Sequence, residues 1–190
     1  MDLPIIAPAA FTLVELLIAA SILLFVVIGI LSANLFGMRM FQIAQTKFTA
    51  ADAARKTLGK ISDDIRDSTT TWVGNTTNGN FVGHLDRELQ MGNALLIYPT
   101  TNTTNFILYY VNPADQTLRR TTSPHGSTLV LASCITNSPV FQAQNYLGQT
   151  LTNNQNHRVI FLSMQCYHPQ SYLPTSDYYK LETTVVRRAQ

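Results

Sequence analysis

The chain has 190 residues, enough for one ordinary domain plus an appendage, with 46% hydrophobic and 13% charged residues and a net charge of +2. That balance points to no particular charged partner. A nucleic-acid binder concentrates Lys and Arg on one face, whereas here they are spread along the chain.

The averages conceal an asymmetry. Between Phe11 and Met38 the only ionisable residue is Glu15, and nearly all remaining charge follows, among many Thr and Asn. Phe11 to Leu31 reads FTLVELLIAASILLFVVIGIL, and about 20 apolar residues in a helix span a hydrocarbon core. A cleaved secretory signal would have an apolar core of about 7–15 residues, basic residues before it and a small-residue site after it. Here the small residues Ala7-Pro8-Ala9-Ala10 precede the apolar run, so the segment is expected to be retained as an anchor. An ionisable residue in such a helix costs several kcal/mol unless it is paired or reaches the interface, which marks Glu15 as a functional candidate. It lies four residues, about one helical turn, after Phe11. The bland alternative is a carboxylate that snorkels to the headgroups from a helix end.

Ala10-Phe11-Thr12-Leu13-Val14-Glu15-Leu16-Leu17 resembles the processing site of type IV prepilins and type II secretion pseudopilins. The family pattern is a small residue, usually Gly, then Phe-Thr-Leu-x-Glu and an apolar helix. The resemblance implies cleavage between Ala10 and Phe11 by a prepilin peptidase and N-methylation of Phe11. It also implies that Glu15 pairs with the N-terminal amine of a subunit in the growing filament. Residues 1–10 would be the leader, 11–38 a transmembrane and filament-core helix, and 39–190 a pilin-like globular domain. The leader departs from the family in having Ala10 for Gly and no Lys or Arg.

Beyond the apolar run, Phe41, Ala44, Phe48, Ala51, Leu58, Ile61 and Ile65, with Ala54 between, follow helical spacings and form one apolar stripe. Asp52 with Lys56 and Lys60 with Asp64 are opposite charges at i,i+4 on the wetter side. The Thr-rich run from Ser68 is expected to end the helix. A helix from Phe11 to about Asp67 would be near 85 Å long, its outer half packed on the body.

Ser68 to Gly83 reads as loop, with a short strand around Trp72-Val73 at most. Strands are predicted over Ala94–Tyr98, Phe106–Val111, Thr117–Thr121, Ser127–Ala132, Val159–Gln165 and Lys180–Arg187. Asn112-Pro113-Ala114-Asp115 should turn the second into the third as a hairpin. Short, closely spaced strands with no helical periods between them favour an antiparallel sheet. The expected class is therefore α+β: a long N-terminal helix, transmembrane in one half and amphipathic in the other, on an antiparallel sheet, as in pilins. The order LGKISDDIRD, FILYYVN, TLRR, LVLASCI and LETTVVRR is similar to J-type pseudopilins and W-type minor pilins.

The body offers little chemistry. No G-x-S-x-G, P-loop or H-E-x-x-H motif occurs, and His84, His125, His157 and His168 lack metal-ligand spacing, so neither catalysis, a metal nor a cofactor is expected. Asp63, Asp64 and Asp67 read as a solvated face or a C-terminal patch of the helix. Cys134 and Cys166 both lie in the polar body: outside the cytoplasm a disulfide between them is permitted, and the alternative is two small thiols on neighbouring strands. Arg119-Arg120 and Arg187-Arg188 would point one Arg to each face of a strand, and would serve subunit contacts or solubility or touch phosphates.

The expected role is a minor pilin or pseudopilin of a type IV pilus or type II secretion pseudopilus. Its partners would be other subunits, the prepilin peptidase, the inner-membrane assembly platform and, before assembly, the lipid bilayer. It would cross the inner membrane once with its C-terminal domain outside the cytoplasm, then enter the filament. The competing readings are a tip module binding nucleic acid or a surface, and a membrane-anchored enzyme.

Overall fold

The computed structural model describes residues 12–77, 79–124, 126–155, 157–168 and 177–188. The chain falls into two compact units, Met1–Phe48 and Thr49–Gln190. In chain order the elements are α1 (Leu13–Arg66), β1 (Thr70–Thr77), β2 (Asn80–Gly83), β3 (Met91–Gly92), β4 (Ala94–Tyr98), β5 (Ile107–Asn112), β6 (Thr117–Thr122), β7 (Ser127–Ala132), β8 (Phe141–Gln144), β9 (Val159–His168) and β10 (Asp177–Val186). The class is α+β, a long N-terminal helix with antiparallel strands.

Within the first unit α1 carries Glu15 as its only ionisable residue up to Met38, and Leu13, Leu17, Leu24, Phe25, Leu35 and Phe36 are all exposed. Within the second unit the last turns of α1 present Ala54, Ile61 and Ile65 to the core, with Leu58 half-buried against it. The predicted apolar stripe is thus buried from Ala54 onward, while Phe41 and Phe48 are exposed. Asp52 and Lys56 make the expected ion pair at 2.7 Å. Asp64 does not form the pair with Lys60 that their spacing predicts, because it turns inward to Tyr109 and Arg120.

The strands form two sheets rather than one, a six-stranded sheet in the order β2-β1-β4-β5-β6-β7 and a four-stranded sheet in the order β10-β9-β8-β3, antiparallel at every pairing. The predicted hairpin is β5–β6, closed by Asn112 opposite Thr117. Asn112 Oδ1 accepts from Ala114 N at 3.2 Å and Gln116 takes a left-handed φ of 54°, which together turn the chain. The main core, which includes Ile65, Leu95, Tyr109, Phe141 and Leu162, draws on α1 and on both sheets. Ala94, Leu96 and Leu108 pack with Trp72, Phe81 and Tyr110 in a second cluster, so β4 is buried along most of its length. The sheets approach closely at Gly92, where any Cβ would fall on the carbonyl oxygen of Gly74 in β1.

Within Ser68 to Gly83, read from sequence as loop with a short strand around Trp72-Val73 at most, that strand is β1 at full length and forms a hairpin with β2, with Thr77 opposite Asn80. Its signal was Asn78-Gly79, a two-residue connection favoured because it tolerates positive φ, and Gly79 has φ 82°. The β-branched Thr70, Thr71 and Val73 supply the strand character, and Thr71 and Val73 are buried.

His157 is buried and structural. Its Nδ1 accepts from Val73 N at 3.2 Å, its Nε2 faces Asn153 O at 3.3 Å, and Thr71 Oγ1 donates to its carbonyl. The ring meets Trp72 edge-on at 5.8 Å. A backbone N–H can only donate, so Nδ1 is unprotonated and the proton sits on Nε2. Burial pushes the imidazole pKa below its ordinary value. The unfolded chain takes up this proton near pH ~6.5 and the folded chain only at lower pH, so the contribution is fully present above ~6.5 and fades as pH falls through the depressed value. Urea unfolding should accordingly show the body less stable at pH 5 than at pH 7.5, with a shallower pH dependence in His157→Gln.

Candidate functional site

The apolar helix is the first candidate. Over Leu13–Gln45, 33 residues whose most apolar 18-residue stretch has a mean hydropathy of 2.9, it is long and apolar enough to cross a membrane. Ala10 and Phe11, the residues of the expected processing site, lie outside the described residues. Glu15 sits in the first turn of α1. Its Oε2 accepts from Thr12 N and from Thr12 Oγ1, both at 2.9 Å, and its own N–H donates to Thr12 Oγ1 at 3.3 Å. This is a reciprocal capping box, with Thr12 at the N-cap and Glu15 three residues on. It satisfies two backbone donors that the start of a helix otherwise leaves unpaired. Glu15 thus has a local structural task that reading for charge alone missed, although Thr-x-x-Glu before an apolar run is legible as a capping box. Further along, Ser21 Oγ donates to Ile18 O at 2.8 Å, which satisfies a hydroxyl on the apolar surface.

The basic pairs of the body serve inward and local contacts. Arg119 binds Asp115 Oδ2 on the β5–β6 turn and reaches Thr117 Oγ1 at 3.0 Å. Arg120 points to the opposite face, onto Asp64 and Tyr109. Arg187 Nη1 donates to Thr69 O, and Arg188 lies 3.6 Å from Asp67. Arg119 and Arg120 split across β6 as the expected alternation has it, whereas Arg187 and Arg188 lie just past the end of β10. Any phosphate on Arg119 or Arg120 would compete with a carboxylate already held.

The three aspartates at the end of α1 diverge rather than converge. Asp63 lies 3.8 Å from Arg66, Asp64 turns to Tyr109 and Arg120, and Asp67 faces Arg188. Among the described residues no group of three or more His, Cys, Asp or Glu is arranged to hold a metal ion.

Cys134 and Cys166 are free thiols, the first half-buried and the second buried. They line the same cavity of about 210 Å³, together with Ala53, Ala54, Leu131 and Tyr179. Burial pushes the Cys166 thiol upward in pKa, and the Tyr179 hydroxyl is hydrogen-bonded to it.

No protein-family model, curated protein or solved structure matches the chain.

Proposed function

We propose that this chain is a filament subunit of the type IV pilus or type II secretion pseudopilus class, of the minor kind that J- and W-type subunits exemplify. The observation that carries the reading is the apolar helix with Glu15 as its only ionisable residue up to Met38, placed one turn after Phe11. At 1.5 Å per residue, the 33 residues of Leu13–Gln45 extend about 50 Å. A bilayer core is only about 30 Å thick. An ordinary single anchor would leave several apolar turns in water, including Leu35, Phe36 and Phe41. Neighbouring helices of the same kind cover such a surface in a filament, and the small residues Ala33 and Gly37 allow close approach there.

On this reading the precursor first rests in the inner membrane with its body outside the cytoplasm. Peptidase cleavage after Ala10 frees an amine on Phe11. Extraction then exchanges lipid contacts for helix–helix contacts, and the carboxylate of Glu15 meets an amine of the assembly instead of Thr12. The polar body decorates the outside and performs no catalysis.

Intact-mass measurement of the protein recovered from membranes and from sheared filaments tests this. The expected mass begins at Phe11 and carries one methyl group on its amine. A chain that keeps residues 1–10 in both fractions would overturn the proposal.

A further inference from the structure

We propose that Cys134 and Cys166 are a dithiol modification site that closes to an intrachain disulfide by exchange with a disulfide-bearing oxidoreductase. The proposal rests on the reading that places the body outside the cytoplasm, where such exchange partners operate.

The geometry begins with a short antiparallel pairing beyond the end of β7. Ile135 bridges to Cys166, Tyr167 N donates to Cys134 O at 3.0 Å, and Thr136 N donates to Gln165 O at 2.9 Å. Cys134 is thus the diagonal neighbour of Cys166 across a ladder. Ladder spacing and rise put their Cα atoms roughly 6 Å apart, inside the window of about 4.4–6.8 Å that disulfides occupy.

In a regular ladder such diagonal neighbours point to opposite faces. Cys134 breaks the alternation, because its φ is 63°. This left-handed conformation is uncommon for a residue with a Cβ other than Asn or Asp. Its consequence is that both cysteines line one cavity. Ala53 and Ala54 keep the helix side of that cavity small, leaving room for the sulfurs to rotate into contact.

The two thiols differ in the way sequential exchange requires. Cys134 is half-buried and reachable, whereas Cys166 is buried beside Tyr179. The Cys134 thiolate attacks one sulfur of the partner's disulfide, forming a mixed disulfide and releasing one partner thiolate. Cys166 then loses its proton and attacks the Cys134 sulfur, and the bond to the partner breaks. The chain gains one S–S bond and gives up two protons and two electrons, and the partner's disulfide becomes a dithiol. The new bond ties the segment that follows β7 to β9.

Two measurements on the full chain test the site. In cells, thiols are trapped with acid and tagged with a maleimide mass label in denaturant. The expected protein takes no label until reduced, then takes two, and runs as a monomer without reductant. In detergent, the reduced chain is treated with oxidised glutathione. Wild type should close with no glutathione retained, whereas Cys166→Ser should hold one glutathione on Cys134. Glutathione adducts that accumulate on wild type without closure, or disulfide-linked dimers, would overturn the proposal. Closure in detergent with both thiols labelled in cells would support the pair and overturn instead the location assigned to the body.

Discussion

Asp64→Ala is expected to destabilise the body by about 3 kcal/mol. Asp64 Oδ2 accepts from the Tyr109 hydroxyl at 2.5 Å and from Arg120 at 3.2 and 3.3 Å, while Arg120 Nε also donates to the Tyr109 hydroxyl at 3.0 Å. The guanidinium sits 5.8 Å from the centre of the Tyr109 ring. The side chains of Asp64 and Arg120 are only 22% and 19% exposed. Removing one partner of a fully buried pair costs about 3–5 kcal/mol, because it strands the other charge, and the partial exposure here places the expectation at the lower end. Burial and then the adjacent carboxylate push the Tyr109 pKa far above its ordinary value, so the hydroxyl remains a donor at every working pH. Tyr109→Phe removes the hydroxyl that donates to Asp64 and accepts from Arg120, and should cost about 2 kcal/mol. Arg120→Ala in the Asp64→Ala background should recover part of the loss, since no unpaired charge remains. The double-mutant cycle in urea should give a coupling of about 1–3 kcal/mol. Strict additivity would mean that Asp64 and Arg120 do not act as a coupled pair.

This network also marks where the sequence stopped being informative. The spacing of Lys60 and Asp64 predicts a surface pair, and nothing local says that Asp64 faces a tyrosine and an arginine from the sheet. Helical periodicity assigns a residue to a face but cannot name its partners across the chain. Cys134 and Cys166, by contrast, were a candidate pair from sequence, and they share a cavity because the segment after β7 pairs with β9. Local signals carried further. Asn112 to Asp115 announced the β5–β6 hairpin, and the short run of strand character over Val159–Gln165 located β9, which runs three residues further, to His168. Where composition was weighed against pattern, composition misled. The Thr, Asn and Gly of residues 68–83 read as loop, although Asn78-Gly79, following a Thr-rich run and followed by Phe81-Val82, is a hairpin signal. β3 and β8, at two and four residues, are too short for alternation to register, and β8 is held by its neighbours, with Phe141 buried at its start. The division of the strands into two sheets followed from this register and from the Gly74–Gly92 approach, neither of which has a sequence period.

Glu15→Gln is expected to lower filament incorporation about tenfold to a hundredfold while leaving membrane insertion unchanged. The capping box makes this substitution more informative than Glu15→Ala. Glutamine at the third helical position reaches back to the N-cap N–H as glutamate does, so Thr12 and the first turn of α1 keep their partner. What glutamine lacks is the negative charge. A hydrogen bond to a charged group contributes about 1.5–3 kcal/mol, and loss of that amount at a subunit contact sets the expected range. Alanine removes the charge and the cap together, adding roughly 1 kcal/mol of helix-start destabilisation, so its assembly defect mixes two causes. Thr12→Ala isolates the other cause, since it removes the hydroxyl of the box and keeps the carboxylate. If the charge of Glu15 is what assembly uses, Thr12→Ala should enter filaments nearly as well as wild type, and Glu15→Gln should remain in the membrane fraction. Quantifying sheared filament against membrane-bound protein checks both. Normal incorporation of Glu15→Gln would reduce Glu15 to a helix cap and remove the carboxylate–amine contact from the proposed assembly step.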